Sequence, residues 1–115
     1  MNDFEIQFAE RGPATSVLRP SGQLDARSAQ FLMERCNAVR EDGRNLILNL
    51  SAITMVASSG IGALLALVDE YNQGPESIRL AEASPAVESV LKLLNLDQFL
   101  AMDPSEDAAA AALEH

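Results

Sequence analysis

VASSGIGALLAL, residues 56–67, admits two readings that lead to different folds. Two serines and two glycines precede an aliphatic run at helical spacing. The stretch is either a turn that cradles a dinucleotide pyrophosphate or the start of a helix whose serines something else reads. The first reading needs three glycines, for a tight turn, for close approach to phosphate and for helix packing. Gly60 and Gly62 supply two, but Met55 stands where the first belongs. Glu82, twenty residues beyond Gly62, matches the spacing of a ribose-binding carboxylate. Against this, the turn follows the third strand of a short chain, and Tyr71 leads into Asn-Gln-Gly-Pro without the lysine of a Tyr-x-x-x-Lys pair. A nucleophile elbow fails too, for want of Gly-x-Ser-x-Gly and a histidine partner. The helix start remains, with Ile61, Leu64, Leu65 and Val68 as its apolar face to about Tyr71.

Upstream, Phe4, Ile6 and Phe8 alternate with polar residues as a half-buried strand does. A turn over residues 11–14 leads to a second, antiparallel strand over residues 15–19, which Pro20 is expected to end or to place at an edge. Asp25 caps a helix with Ala29, Leu32, Met33, Cys36 and Val39 on one face. NLILNL, residues 45–50, is the near-continuous aliphatic run of a central strand covered on both sides. Downstream come a short strand over residues 77–81 and a helix capped by Ser84 with Pro85 in its first turn. Val87, Val90, Leu91 and Leu94 form that helix's face. A last short strand is expected over residues 98–102, then a terminal helix begun by Asp103, Pro104 and Glu106. Strands alternating with helices imply a mostly parallel sheet with right-handed crossovers.

The bulk numbers narrow the function. A chain of 115 residues suits one domain, and 4% aromatic content against 48% hydrophobic makes its core aliphatic. No apolar run is long enough for a membrane span, and the first eight residues lack the basic and apolar regions of a signal peptide. The expected location is therefore the cytoplasm, with no membrane insertion. Cys36 is the only cysteine, so no internal disulfide or cysteine-rich metal site forms, and it reads as a core residue. AAALEH, residues 110–115, reads as a vector linker and the first residue of a His tag, which leaves residues 1–109 as one domain. On that reading the only histidine, His115, is foreign, and imidazole chemistry is excluded. The carboxylates form no obvious spaced pair in an apolar setting. No catalytic residue, metal or cofactor is expected. A formal net charge of −9, one unit less without Glu114, argues against direct nucleic-acid contact.

RNLILNLSAITMVASSGIGALLALVDEY, residues 44–71, resembles the signature segment of STAS domains, and among them of the bacterial anti-sigma factor antagonists. SGQLDARSA, residues 21–29, is similar to that family's Gly-x-Leu-Asp opening of the first helix. RLAEASPAVESVLKLLNLDQFL, residues 79–100, resembles its late strand and Ser-Pro-capped helix. The resemblance spans about residues 3–107. It implies an α/β STAS fold, a four- to five-stranded mixed sheet with helices packed mainly on one face.

The same resemblance implies a binding switch in a bacterial protein that takes part in transcription regulation by partner switching. A cognate anti-sigma factor, itself a serine kinase, binds the unphosphorylated chain and releases its sigma factor. Phosphorylation of the first serine of the motif ends binding, and a serine phosphatase resets the switch. By position the phosphorylated residue is Ser58, with Ser59 as the backup. Asp25, Ser58, Ser59, Gly60 and Gly62 are the expected partner-binding residues. Ala57 departs from the pattern, since the family places an aspartate there. Two readings of Ser58 stay open: regulated phosphorylation, and helix capping with constitutive binding. For Asp25 the choice is capping or partner contact, and for Phe31 core edge or interface. The alternative function is an accessory STAS subunit that docks on a transport or lipid-trafficking ATPase without a phosphosite.

Overall fold

The computed structural model describes residues 4–114; Met1, Asn2, Asp3 and His115 lie outside the described residues. That places the first residues of the leader reading, and the one histidine, beyond structural comment.

The ten-residue strand β2 (Thr15–Leu24) is the spine of the sheet. On one side it pairs antiparallel with β1 (Glu5–Glu10), from Glu5 opposite Ser21 to Glu10 opposite Ser16. On the other it has two parallel partners in series. Its first half pairs with β3 (Asn45–Asn49), and its second half with β4 (Ala52–Val56). β5 (Ile78–Ala81) and the two-residue β6 (Met102–Asp103) extend the sheet beyond β3, giving the order β1-β2-β3-β5-β6. The sheet is mixed, as expected, but among the described residues has six strands. The additional one, β4, falls between the expected strand over residues 45–50 and the helix start, where the sequence reading places no element. Ile53, Thr54 and Val56 are β-branched and favour extended backbone, so the signal was present.

Pro20 does not end β2. It stands opposite Ile6, and on the other side it falls between Leu18, the last residue paired to β3, and Ser21, the first paired to β4. A residue without an N–H is tolerated beside such a gap in the ladder.

Three helices cover one face: α1 (Ala26–Glu41), α2 (Ser58–Asn72) and α3 (Pro85–Leu93). Between them and the sheet lies an aliphatic core in which Leu24, Leu46, Leu48, Leu50 and Leu67 are fully buried. Cys36 belongs to this core, and burial pushes its thiol up to about 12. The Tyr71 hydroxyl donates to the Cys36 carbonyl at 2.7 Å and ties the end of α2 to α1. The fourth helix, α4 (Glu106–Leu113), lies on the opposite face over Val17, Ile47 and Ala81. The helices thus pack mainly on one face.

Several local expectations need correction. Phe8 is 54% exposed, so the buried alternation of β1 fades toward its end. Leu94 is the C-cap of α3 and points largely outward. The expected strand over residues 98–102 contracts to β6, because residues 97–99 form a turn. Asp103 caps nothing; it lies in β6 and grips Arg79, while Ser105 caps α4 by accepting from the Ala108 N–H. Whatever their origin, residues 110–113 continue α4, and Ala110 and Leu113 pack against its small apolar cluster.

Glu106 anchors α4 to the sheet. Arg19 donates to both its carboxylate oxygens at 2.8 Å, and Asn49 Nδ2 donates at 2.6 Å. The Arg19 hydrogen bond holds the Glu106 carboxyl below its ordinary value of 4.5, against the opposing effect of burial, with Asn49 adding to the lowering. A depressed folded value means stability that is present above 4.5 and lost as pH falls through the folded value. Glu106→Gln is therefore expected to be less stable than wild type near neutrality, with the two unfolding free energies converging in acid. Urea unfolding from about pH 6 to about pH 3 measures this. Parallel curves would remove Glu106 as an acid-labile anchor.

Candidate functional site

The division of β2 between two partners builds the site. Leu24 is the last residue of β2 and pairs with Val56, the last of β4. Asp25 and Ala57 come next in each chain segment, so α1 and α2 start side by side at one edge of the sheet. The Ala57 N–H donates to the Leu24 carbonyl at 2.9 Å and fastens the two starts together.

The two starts differ chemically. Asp25 is a full cap. Its Oδ1 accepts from the Arg27 and Ser28 N–H groups and from the Ser28 hydroxyl, each at 3.1 Å, while the Asp25 N–H donates to Ser28 Oγ at 2.9 Å. These bonds, the Ser28 backbone N–H first, hold the Asp25 carboxyl below its ordinary value. At the start of α2 the cap position is Ala57, which has no side-chain acceptor. The expected capping bond from Ser58 or Ser59 is absent, because these serines are the first two residues inside the helix, not its cap. Both are exposed, with backbone N–H groups at the positive end of the helix dipole. Among the described residues, α2 is the one α-helix that starts without a side-chain cap.

The two glycines of the motif also part company. A Cβ on Gly60 would lie 2.6 Å from the Leu24 carbonyl oxygen and 2.9 Å from Leu24 Cγ. The helix can approach the end of β2 this closely only because Gly60 lacks a side chain. A Cβ on Gly62 would meet nothing within 4 Å, and the residue faces solvent. The structure thus brings Asp25, Ser58, Ser59 and Gly60 into one small region. Gly62 lies outside the contact that holds it together.

Two residues singled out in the sequence lie near the site. Met55 is 49% exposed on β4, two residues before the cap. Its position in a strand, rather than a phosphate loop, followed from the β-branched residues around it. Phe31 is 43% exposed and sits edge-on to Phe4 with the Arg35 guanidinium 5.9 Å from its ring centre. It is a half-covered core edge. Among the described residues, no group of His, Cys, Asp and Glu is placed to hold a metal ion, and no helix is long and apolar enough to cross a membrane.

The geometry assigns opposite signs to three substitutions. Gly60→Ala should lower stability by about 1–3 kcal/mol, the usual range for overpacking against backbone. Gly62→Ala should raise it by about 0.5–1 kcal/mol through helix propensity alone. Ala57→Asp should raise it by about 0.5–2 kcal/mol by supplying the missing cap. Urea melts of the three variants measure all of this, and a neutral Gly60→Ala would undo the close-approach account.

The sequence matches the STAS domain family over residues 5–109. The fold is similar to an anti-sigma factor antagonist from Mycobacterium paratuberculosis, with a TM-score of 0.82 at 26% identity over 98% of this chain and 96% of that one. The Bacillus cell fate determinant SpoIIAA in its phosphorylated form is similar at a TM-score of 0.69 and 21% identity, over 94% of this chain and 99% of that one. Part of the murine solute carrier 26 family member A9, an anion transporter, has the same fold. Its TM-score is 0.74 at 15% identity, over 100% of this chain and 23% of that one. A match that runs from β1 into α4, on a sheet whose two helix starts meet at one edge, leaves one assignment: the chain belongs to the STAS domain family.

Proposed function

We propose that this chain is an anti-sigma factor antagonist, a cytoplasmic binding switch without catalysis or cofactor, and that Ser58 is its phosphorylation site. The observation that carries the reading is an exposed serine in the first turn of an uncapped helix whose start is pinned to β2. Exposure lets a kinase reach the hydroxyl. The pinned backbone presents it in one geometry. Similarity to the Mycobacterium antagonist supports the functional class, and similarity to a SpoIIAA solved in a phosphorylated form supports a phosphorylated state.

The partner is an anti-sigma factor serine kinase, and a serine phosphatase restores the unmodified chain. Phosphorylation adds about −1.5 to −2 charges and three acceptor oxygens. The helix dipole favours that charge on the free protein, so the fold need not respond. Inside an interface the same dianion must be desolvated, and binding weakens. Asp25, Ser58, Ser59 and Gly60 form the centre of the proposed contact, with Met55 at its border.

A second reading keeps the docking surface and drops the modification: an accessory subunit on a transport or lipid-trafficking ATPase. The presence of the fold within an anion transporter favours it only at the level of architecture.

Ser58 makes no capping bond, so Ser58→Ala should leave stability within about 0.5 kcal/mol of wild type. With the cognate kinase and ATP, intact mass should show one added phosphate on wild type and none on Ser58→Ala. Ser58→Asp should bind the kinase more weakly, and Ala57→Asp should be phosphorylated faster. If a kinase that binds the chain never adds phosphate to either wild type or the Ala57→Asp variant, the switch is refuted and constitutive docking stands.

A further inference from the structure

The chain carries eight Lys and Arg against 17 Asp and Glu, and most of the eight are engaged within the fold. Arg11, Arg19, Arg40, Arg79 and Lys92 each pair with a carboxylate. Arg44 donates to Ser16 Oγ and to the Gly12, Pro13 and Thr15 carbonyls. Among the described residues, Arg27 and Arg35 alone of the eight have neither an ion pair nor a side-chain hydrogen bond, although acids are in surplus. These two are not scattered. With Phe31 they take positions i, i+4 and i+8 of α1, one exposed stripe about 12 Å long at the helical rise per residue.

The stripe forms one wall of a groove, and β1 forms the other. Phe4 meets Phe31 edge-on, and farther along the two elements Phe8, Leu18, Arg35 and Val39 line a hollow of about 330 Å³. Glu10 and Asp42, farther on still, line its other end. β1 ends the sheet on this side, and Phe8 and Phe31 are both exposed. The groove thus has a polarity: arginines toward the start of α1, aromatic rings between, carboxylates at the far end. The Arg35 guanidinium already rests on the Phe31 ring, so it has less side-chain freedom to lose on pairing. Arginine and aromatic residues are also the side chains in which protein interfaces are enriched.

We infer that this groove docks an acidic segment of the partner that reads Ser58, with carboxylates for Arg27 and Arg35 and one bulky apolar side chain for the hollow beside Phe8. The inference rests on the proposed contact at Ser58 and extends it. Arg27 stands two residues beyond Asp25, whose carboxylate accepts from the Arg27 N–H, so the stripe begins inside that contact. Charge complementarity selects the occupant. Two arginines without carboxylates turn away a basic segment and favour an acidic one, and Glu10 and Asp42 keep its carboxylates toward the start of α1. The apolar walls of the hollow suit a side chain the size of Leu or Phe.

Calorimetric titration of the full chain with the cognate kinase, with ADP in place of ATP, tests this. Arg35→Glu and Arg11→Glu change the net charge equally, the first in the groove and the second on the α4 side of the sheet. Arg35→Glu should weaken binding at least about tenfold, and Arg11→Glu by less than about twofold. Phe8→Ala should weaken it at least about fivefold. Raising salt from about 50 to about 300 mM should weaken wild type more than it weakens the double variant Arg27→Gln/Arg35→Gln. The substituted side chains are exposed, and urea melts check that each variant is folded. Should either reversal unfold the chain, Arg35→Gln against Arg11→Gln replaces the pair. The inference is overturned if the groove and α4-side substitutions weaken binding equally, or if Phe8→Ala has no effect. It is overturned too if the wild-type chain self-associates and Arg35→Glu removes that association, which would assign the groove to a second copy. Binding with ADP needs no phosphate transfer, so the two readings fail differently. A kinase that binds but never phosphorylates Ser58 refutes the switch, and the groove is still decided by the same comparison. A kinase that fails to bind wild type removes both.

Discussion

The pairing of one long strand with two short ones governs this molecule. β2 has ten residues, and β3 and β4 have five each. Because β3 and β4 lie end to end along β2, the chain leaves β4 beside the point where it left β2. Every feature of the candidate site follows from that coincidence. Asp25 and Ala57 become neighbours through Leu24, α1 and α2 run side by side, and Gly60 meets the end of β2. Pro20, which looks like a terminator in sequence, occupies the gap between the two partners instead. Asn49 marks the same junction from the other side: its Nδ2 donates to Glu106, and its Oδ1 accepts from the Ser51 N–H in the turn between β3 and β4.

How much of this was legible depended on how local the signal was. Asp25 and Ser84 could be recognised as caps because a cap needs only its own short side chain and the next three residues. β3 stood out because burial on both faces leaves an unbroken aliphatic run. β4 did not, since attention fell on the serines and glycines that follow, and Ala52–Val56 was given no element. Asp103 outranked Ser105 as a cap in sequence, but Arg79, twenty-four residues upstream, holds that carboxylate in the sheet. Nothing near residue 103 announces that pairing.

The site was legible in membership and not in mechanism. The motif put Ser58 and Gly60 together, and the fold agrees. The roles differ from the expectation: the serines do not cap, and the two glycines are unequal. The distinction between them is a single contact, the 2.6 Å between a Gly60 Cβ and the Leu24 oxygen, which depends on the approach of a strand end thirty-six residues away. Periodicity along α2 carries no trace of it.

That contact also bears on the timing of recognition. With the start of α2 clamped to β2, the surface around Ser58 is already formed in the free chain, and encounter with the proposed partner would need no folding step. Association rates for such preformed surfaces vary little among closely related forms, and lifetimes vary far more. Two chemical states of Ser58 on one rigid platform would therefore be told apart chiefly by how long a complex lasts, and hardly by how often it forms.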